Sequence, residues 1–302
     1  MQTFQGKTTW YHATNPTQED VQFLIKEFSM PSETAEELKM PSTRQKVHKE
    51  PDSLYAVIKF PLYDSKKRTS KPVEIDFLVN RTSIATVSYQ KIAPLDEILK
   101  QSETLEGFRN NLTNAGSAAI IQTVLAALFT YGMRELTHID RHISEATERV
   151  YTGKEKEMIR TISLIKRDVL DFRRILKPME GTLKEMRDAY WELFSGSRKA
   201  QFENVLGAYH DLFDLTENHK DTIESLETTN QALLASKIGQ VSQILAVAAF
   251  LLAPFTIIGT LFQINTQFTP IVGMPGDWWI VLGITLAGCM ALYVYFKKRG
   301  WF

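Results

Sequence analysis

Fifty-nine consecutive residues, 238 to 296, carry one formal charge, that of Asp277. Elsewhere the chain is dense in charge, with 35 Lys plus Arg and 35 Asp plus Glu in its 302 residues. So abrupt a change restricts the last fifth of the chain to an apolar solvent, the lipid bilayer. Pro254, Gly259, Pro270, Gly273, Pro275 and Gly276 divide the stretch into two segments, 241–262 and 278–296. About 20 apolar residues in a helix cross a hydrocarbon core of roughly 30 Å, and both segments meet that length. Trp278 and Trp279 stand at one end of the second segment and Tyr293, Tyr295, Phe296 and Trp301 at the other, as interfacial aromatics do. The loop 263–277 holds no cation, whereas the tail reads Lys297-Lys298-Arg299. Short Lys/Arg-rich segments stay on the cytoplasmic side. The expectation is a multi-pass protein of the cytoplasmic (inner) membrane with both termini in the cytoplasm and a short outer loop.

Met1 to Trp10 contains no apolar run, so no cleavable signal peptide is expected. The single cysteine, Cys289, falls in the second span and cannot form an intrachain disulfide. Net charge is zero, which argues against a nucleic-acid partner. No Gly-rich phosphate loop, nucleophile elbow or paired catalytic constellation appears, so neither an enzyme nor a cofactor is expected.

The fold class read from the pattern is α+β, with two transmembrane helices at the C-terminus. Residues 1–115 read as a cytosolic α/β domain, 116–237 as long cytosolic helices, and 238–302 as the two-helix membrane domain with a short basic tail. Asn15-Pro-Thr-Gln-Glu-Asp20 marks a helix start. Strands are predicted at 54–60, 73–79 and 83–89, the last two joined by a hairpin at Asn80-Arg81. Glu74 and Asp76 alternate with Val73, Ile75 and Phe77, so one face of that strand is expected to be solvated or covered by something polar. From about Gly116 apolar residues recur at helical spacing, among them Ile121, Leu125, Leu128, Leu136, Ile143, Ile162, Val169 and Phe172. Breaks are expected at Thr152-Gly153 and Ser195-Gly-Ser197. A last helix from about 198 enters the first span without a stop. Its 65 residues would reach roughly 100 Å at 1.5 Å each, so it must pack on neighbouring helices and on copies of itself.

One face of the first span is small or polar: Gly239, Ser242, Ala246, Ala249, Ala253, Thr256, Thr260. Other faces carry Ile244, Val247, Phe250, Leu251, Phe255, Ile257 and Ile258. Two readings stand. The stripe is a seam where helices approach closely, or it lines a pore built from several copies. In either case its polar groups face protein or water rather than lipid.

The text that follows the stripe, Pro254-Phe-Thr-Ile-Ile-Gly-Thr-Leu-Phe-Gln-Ile-Asn265, resembles the end of the first membrane helix in the CorA family of divalent-cation channels and transporters. That family reads close to Pro-Leu-Thr-Phe-Ile-x-Gly-Ile-Tyr-Gly-Met-Asn. Similar text continues through the second span and the tail 296–301. It extends to Thr9-Trp-Tyr, Asn15-Pro-Thr, Arg44-Gln-Lys-Val-His48 and 73–79, so nearly the whole chain is covered. The resemblance implies a homopentameric funnel whose first span lines the pore. Asn265 and Gln263 would then stand at the outer mouth and Thr256 would form a polar ring deeper in. Leu245 would be an apolar gate, Ser242 and Gly239 the cytoplasmic pore end, and Asp277 a cation-attracting residue of the outer loop. Asp277 reads equally as an acid placed at a helix N-terminus. Mg²⁺ releases its waters reluctantly, and a ring of neutral Asn oxygens can hold a hydrated ion and let it go. The chain departs from the pattern in three places. Gln263-Ile264-Asn265 replaces Gly-Met-Asn, Ala253 replaces a larger Met, and Gly239 stands where many members carry Asn. Variation in the triplet also occurs in the ZntB branch, associated with zinc.

His138 and His142 lie one helical turn apart, but Arg141 and the lack of a following Glu favour a solvated face over a metal site. Asp211 and Asp214, with His210 and Glu217, lie on the last long helix. In similar proteins acidic subunit interfaces sense cytosolic Mg²⁺, whereas acids on an exposed helix ordinarily only solubilise it. The expected partners are further copies of the chain, membrane lipid and divalent cations. The leading reading is a Mg²⁺ transporter with Co²⁺ or Ni²⁺ as further cargo. ZntB-like zinc movement and a membrane-anchored sensor or scaffold are the alternatives.

Overall fold

The computed structural model describes residues 1–64, 69–194, 199–263, 271 and 273–299. They form two compact units, Met1–Thr228 and Thr229–Phe302.

The first unit is built on a six-stranded sheet: β1 (Gln2–Phe4), β2 (Thr9–Thr14), β3 (Lys46–Lys49), β4 (Ser53–Asp64), β5 (Thr69–Asn80) and β6 (Ser83–Ser88). The order is β1-β2-β6-β5-β4-β3, antiparallel except for the β2–β6 pair. The three predicted strands are the central ones, and β4 and β5 run longer than expected. Short β1 and β3 escaped the pattern because three or four residues give too little alternation to read, and β2 is not among the predicted strands. The predicted hairpin forms. Asn80 Oδ1 accepts the N–H groups of Thr82 (3.0 Å) and Ser83 (2.7 Å) and so turns the chain.

One sheet face is covered by α1 (Gln18–Glu27) and α2 (Ser32–Glu37). Val21, Leu24, Phe28 and Leu38 pack there on Tyr55, Val57, Leu78, Ala85 and Val87. The cap of α1 is Thr17, within the stretch that marks the helix start. Its Oγ1 accepts the Asp20 N–H at 3.2 Å, and Asp20 Oδ2 accepts the Thr17 N–H at 2.9 Å, a reciprocal capping box. The other face is covered by α5 (Ser117–Tyr151), α6 (Glu155–Leu176) and α7 (Met179–Leu193), with α3 (Ala93–Thr104) and α4 (Glu106–Ala115) packed on α5. Phe60 of β4 meets Phe129 of α5 with ring centroids 6.3 Å apart. With both faces covered, all six residues of β6 are buried.

The helix breaks follow from single residues. Gly116 (φ 96°) turns α4 into α5, Gly153 (φ 90°) follows the end of α5, and Pro178 separates α6 from α7. The break expected at 195–197 lies outside the described residues. The last long helix, α8 (Lys199–Gln263), is a single helix as expected, and α9 (Asp277–Lys298) follows.

One expectation resolves differently from a solvated strand face. Glu74 is 5% exposed and Asp76 is fully buried. The cover over them is polar: the Ser42 N–H bonds Glu74 Oε1 at 2.7 Å, and the hydroxyls of Tyr89 (2.7 Å) and Tyr55 (3.3 Å) reach Asp76 Oδ2. Lys59 Nζ stands 3.6 Å from Glu74 Oε2. Burial, and then the neighbouring Glu74 charge, hold the Asp76 carboxyl well above the usual carboxylate range.

Two described helices, α8 and α9, are long and apolar enough to cross a membrane. The pair α4 and α5 would make a third by length and composition, but the two bend by 118°. The apolar face of α5 is taken up within the first unit, with Ile121, Val124, Leu125 and Leu128 buried.

Candidate functional site

In the second unit, the C-terminal part of α8 packs on α9 along a line at spacings of three and four. Val247 is 2% exposed, and Leu251, Pro254, Ile258 and Phe262 are half-buried. Opposite them on α9 stand Val281, Thr285, Gly288, Cys289, Leu292 and Phe296, all buried or half-buried. The Phe250 and Phe296 rings lie 5.8 Å apart. A Cβ placed on Gly288 would rest 3.7 Å from the Pro254 Cβ, an ordinary contact. The Cys289 thiol donates to the Leu251 carbonyl at 3.2 Å, next to where Pro254 lacks an N–H to offer the Phe250 carbonyl. The cysteine therefore has a structural job inside the helix pair.

The small and polar stripe is not part of that packing. Gly239, Ser242, Ala249, Thr256 and Thr260 are exposed, and Ala246 and Ala253 are half-buried. At 3.6 residues per turn, the stripe and the α9-facing line lie about half a turn apart. Within one chain the small residues therefore do not serve as the α8–α9 seam.

The threonines of the stripe have a defined polarity. The Thr256 hydroxyl donates to the Ala253 carbonyl at 2.9 Å, and Thr260 to Thr256 at 2.7 Å and Ile257 at 2.9 Å. With the protons turned back onto the helix, each presents oxygen lone pairs outward. Those suit a cation or the water protons of its hydration shell.

Gln263 is the last residue of α8 and is exposed, as is Leu245 at the edge of the stripe. Asn265 lies outside the described residues. Asp277 opens α9 and accepts two backbone N–H groups, Trp278 at 2.7 Å and Gly273 at 3.1 Å. Asp277 therefore ties the preceding loop to the first turn of α9 within a single chain, the N-cap position itself being Gly276.

Asp211 and Asp214 are exposed on α8 in the first unit. His210 Nε2 is 3.9 Å from Glu180 on α7, and His142 Nδ1 is 4.0 Å from Glu145 one turn along α5. Among the described residues no three His, Cys, Asp or Glu side chains gather as a metal-binding group. Sequence reasoning singled out Glu74 and Asp76 but not the residues that cover them, and it passed over the buried His219. The histidine left a signal: Leu212, Thr216, His219, Ile223 and Leu226 recur at helical spacing and are all buried.

A covered mixed sheet, a long helix running on into an apolar segment, and a second apolar helix define a membrane protein in which two of the described helices are long and apolar enough to span. The family model described as "CorA-like Mg2+ transporter protein" matches residues 5–298, and the chain belongs to that family. It is a CorA-type divalent-cation transporter and not an enzyme. The chain is 20% identical over 294 residues to the cobalt/magnesium transport protein CorA of Thermotoga maritima, covering 97% of this chain and 83% of that one. The structure of the CorA magnesium transporter from Methanocaldococcus jannaschii superposes with a TM-score of 0.82 at 17% identity, over 98% of this chain and 92% of that one. The ZntB cytoplasmic domain from Vibrio parahaemolyticus matches the fold with a TM-score of 0.62 at 12% identity, over 76% and 88% of the two chains.

Proposed function

We propose that several copies of this chain, five on the family's pattern, surround an ion path lined by the small and polar stripe of α8, and that its principal cargo is Mg²⁺. The observation that carries this reading is the direction of the stripe, which points away from the chain's own second span. Polar and small groups in a span are poorly placed against lipid, and further copies around a water-filled path complete them. Thr256 supplies a ring of outward oxygens, and the small residues Ser242, Ala249 and Ala253 leave room for an ion that keeps its waters. Leu245 narrows the path with apolar side chains, which gate by dewetting. Asn265 and Gln263 form the outer mouth, with Asp277 raising the local cation concentration. The basic tail 297–299 and the cation-free loop support an orientation with both termini in the cytoplasm. Mg²⁺ and Co²⁺ are the ions named for the Thermotoga relative. Zinc is the second reading, favoured by the Gln263-Ile264-Asn265 triplet.

The test is flux in proteoliposomes with Mg²⁺, Co²⁺, Ni²⁺ and Zn²⁺, with and without a proton gradient. Mg²⁺ movement without a gradient supports the proposal. Zn²⁺ movement that requires one favours the second reading. No movement of any of the four would leave only an anchor or scaffold.

A further inference from the structure

The cytosolic half of α8 carries an imidazole inside the protein. His219 is 6% exposed, in line with the fully buried Leu212, Thr216 and Ile223. These residues face α5 and α6: Leu212 lies against Gly132 of α5, and Tyr209 one turn earlier bonds the Leu176 carbonyl of α6. The ring bonds the Leu136 carbonyl of α5, and its Nδ1 lies 3.9 Å from Asp140 Oδ1 one turn further along that helix. Nε2 is buried, and among the described residues no donor or acceptor meets it.

Charges around the ring are few and already assigned. From α5 only Asp140 faces it, and that side chain is 61% exposed to water. From α6, Arg173 is turned to Glu217 and Lys166 to Glu227. On α8 itself Lys220 is shared among Glu217, Asp221 and Glu224.

A neutral ring fits this place with one N–H donating and one bare nitrogen. A charged ring brings a second N–H into an interior with nothing to accept it, and a buried donor without a partner is unfavourable. Burial outweighs the attraction of Asp140, so the folded protein holds the ring below the ordinary histidine range. The ring takes up a proton most readily when α8 lifts from α5 and water reaches Nε2.

We propose that His219 is a proton-released catch between α5 and α8: the neutral ring keeps the two helices closed, and acidification opens them. Because α8 runs unbroken to Gln263, the catch acts on the helix that carries the first span. The catch itself does not depend on which ion the protein moves. In sign, the closed contact is fully favoured above the ordinary histidine value near 6.5 and weakens as pH falls below it towards the lower folded value. Between pH 7.5 and 5.5 the opening constant can rise by at most about tenfold, the ratio set by a freely titrating histidine.

Hydrogen exchange of the full chain in detergent micelles, corrected for intrinsic pH effects, reads this on peptides covering 134–142 and 214–224. Wild type is expected to open at least threefold more at pH 5.5 than at pH 7.5, and His219→Phe to show no such rise. Asp140→Asn, which removes the one charge favouring the imidazolium, is expected to steepen the acid response. That variant serves if His219→Phe does not fold. Equal pH dependence in wild type and His219→Phe, or a wild-type response that is flat or unchanged by Asp140→Asn, overturns the proposal.

Discussion

The two units hide their apolar side chains in different ways. In the first, Trp10, Tyr55, Phe60, Phe77, Phe129 and Phe172 are fully or almost fully buried by the chain itself. In the second, Ile244, Leu245, Phe250, Leu252, Ile257, Leu261, Trp278 and Trp279 are all exposed, and among the described residues only Asn230, Val247, Thr285 and Phe296 are buried. The first unit is therefore complete in one chain. The second is completed by lipid on its apolar faces and, on the proposed reading, by other copies along its small and polar one. Substitutions in the first unit should act on stability, and those on the stripe should act on transport with the first unit intact.

The largest effect is expected at the stripe. Ala249→Leu fills the proposed path and should lower Mg²⁺ flux by on the order of tenfold or more, with soluble-domain unfolding unchanged. Phe255→Ala, on the far side of α8 from the stripe, should leave flux nearly as it was. Equal losses in the two variants would break the comparison. In the first unit, Phe60→Ala removes a fully buried ring packed near Phe129. It should destabilise by about 3–5 kcal/mol in chemical denaturation. Gly132→Ala is milder. Its new Cβ would lie 3.0 Å from Leu212 Cδ2 on α8 and 3.0 Å from the Phe60 ring, and Leu212 can turn aside. A loss of about 1–3 kcal/mol is expected.

The smallest effect has the opposite sign. Burial raises the folded-state pKa of Asp76 above its unfolded value. Its favourable contribution is therefore fully present below the ordinary carboxylate value near 4 and is lost as pH rises through the raised folded value. Asp76→Asn keeps the shape and removes the charge. It should stabilise the protein by on the order of 1 kcal/mol at pH 8 and by progressively less towards pH 5. A variant less stable than wild type at pH 8, followed by circular dichroism on heating, would show that the ionised carboxylate is held favourably by Tyr55 and Tyr89.

What could be read without coordinates followed signal strength. Two spans, one unbroken α8 and the central strands were legible because long runs of one period or one polarity override local detail. β1, β3 and the α6–α7 break were not, because each rests on a few residues and a partner distant in sequence. The Glu74–Asp76 alternation was visible, but its cover was not: Ser42, Tyr55 and Tyr89 are brought there by strand pairing and by the segment after α2. The stripe was legible as a period. Its direction needed the position of α9, which fixes Val247, Leu251 and Pro254 as the inward line.

The claim that the outward stripe lines the ion path is tested most directly by thiol blocking. In a Cys289→Ser background, Thr256→Cys and Val247→Cys are each reconstituted, and Mg²⁺ flux is followed before and after a water-soluble, charged thiol reagent. The account predicts that the reagent blocks flux through Thr256→Cys and leaves Val247→Cys unaffected. Block at Val247→Cys with Thr256→Cys untouched would contradict it.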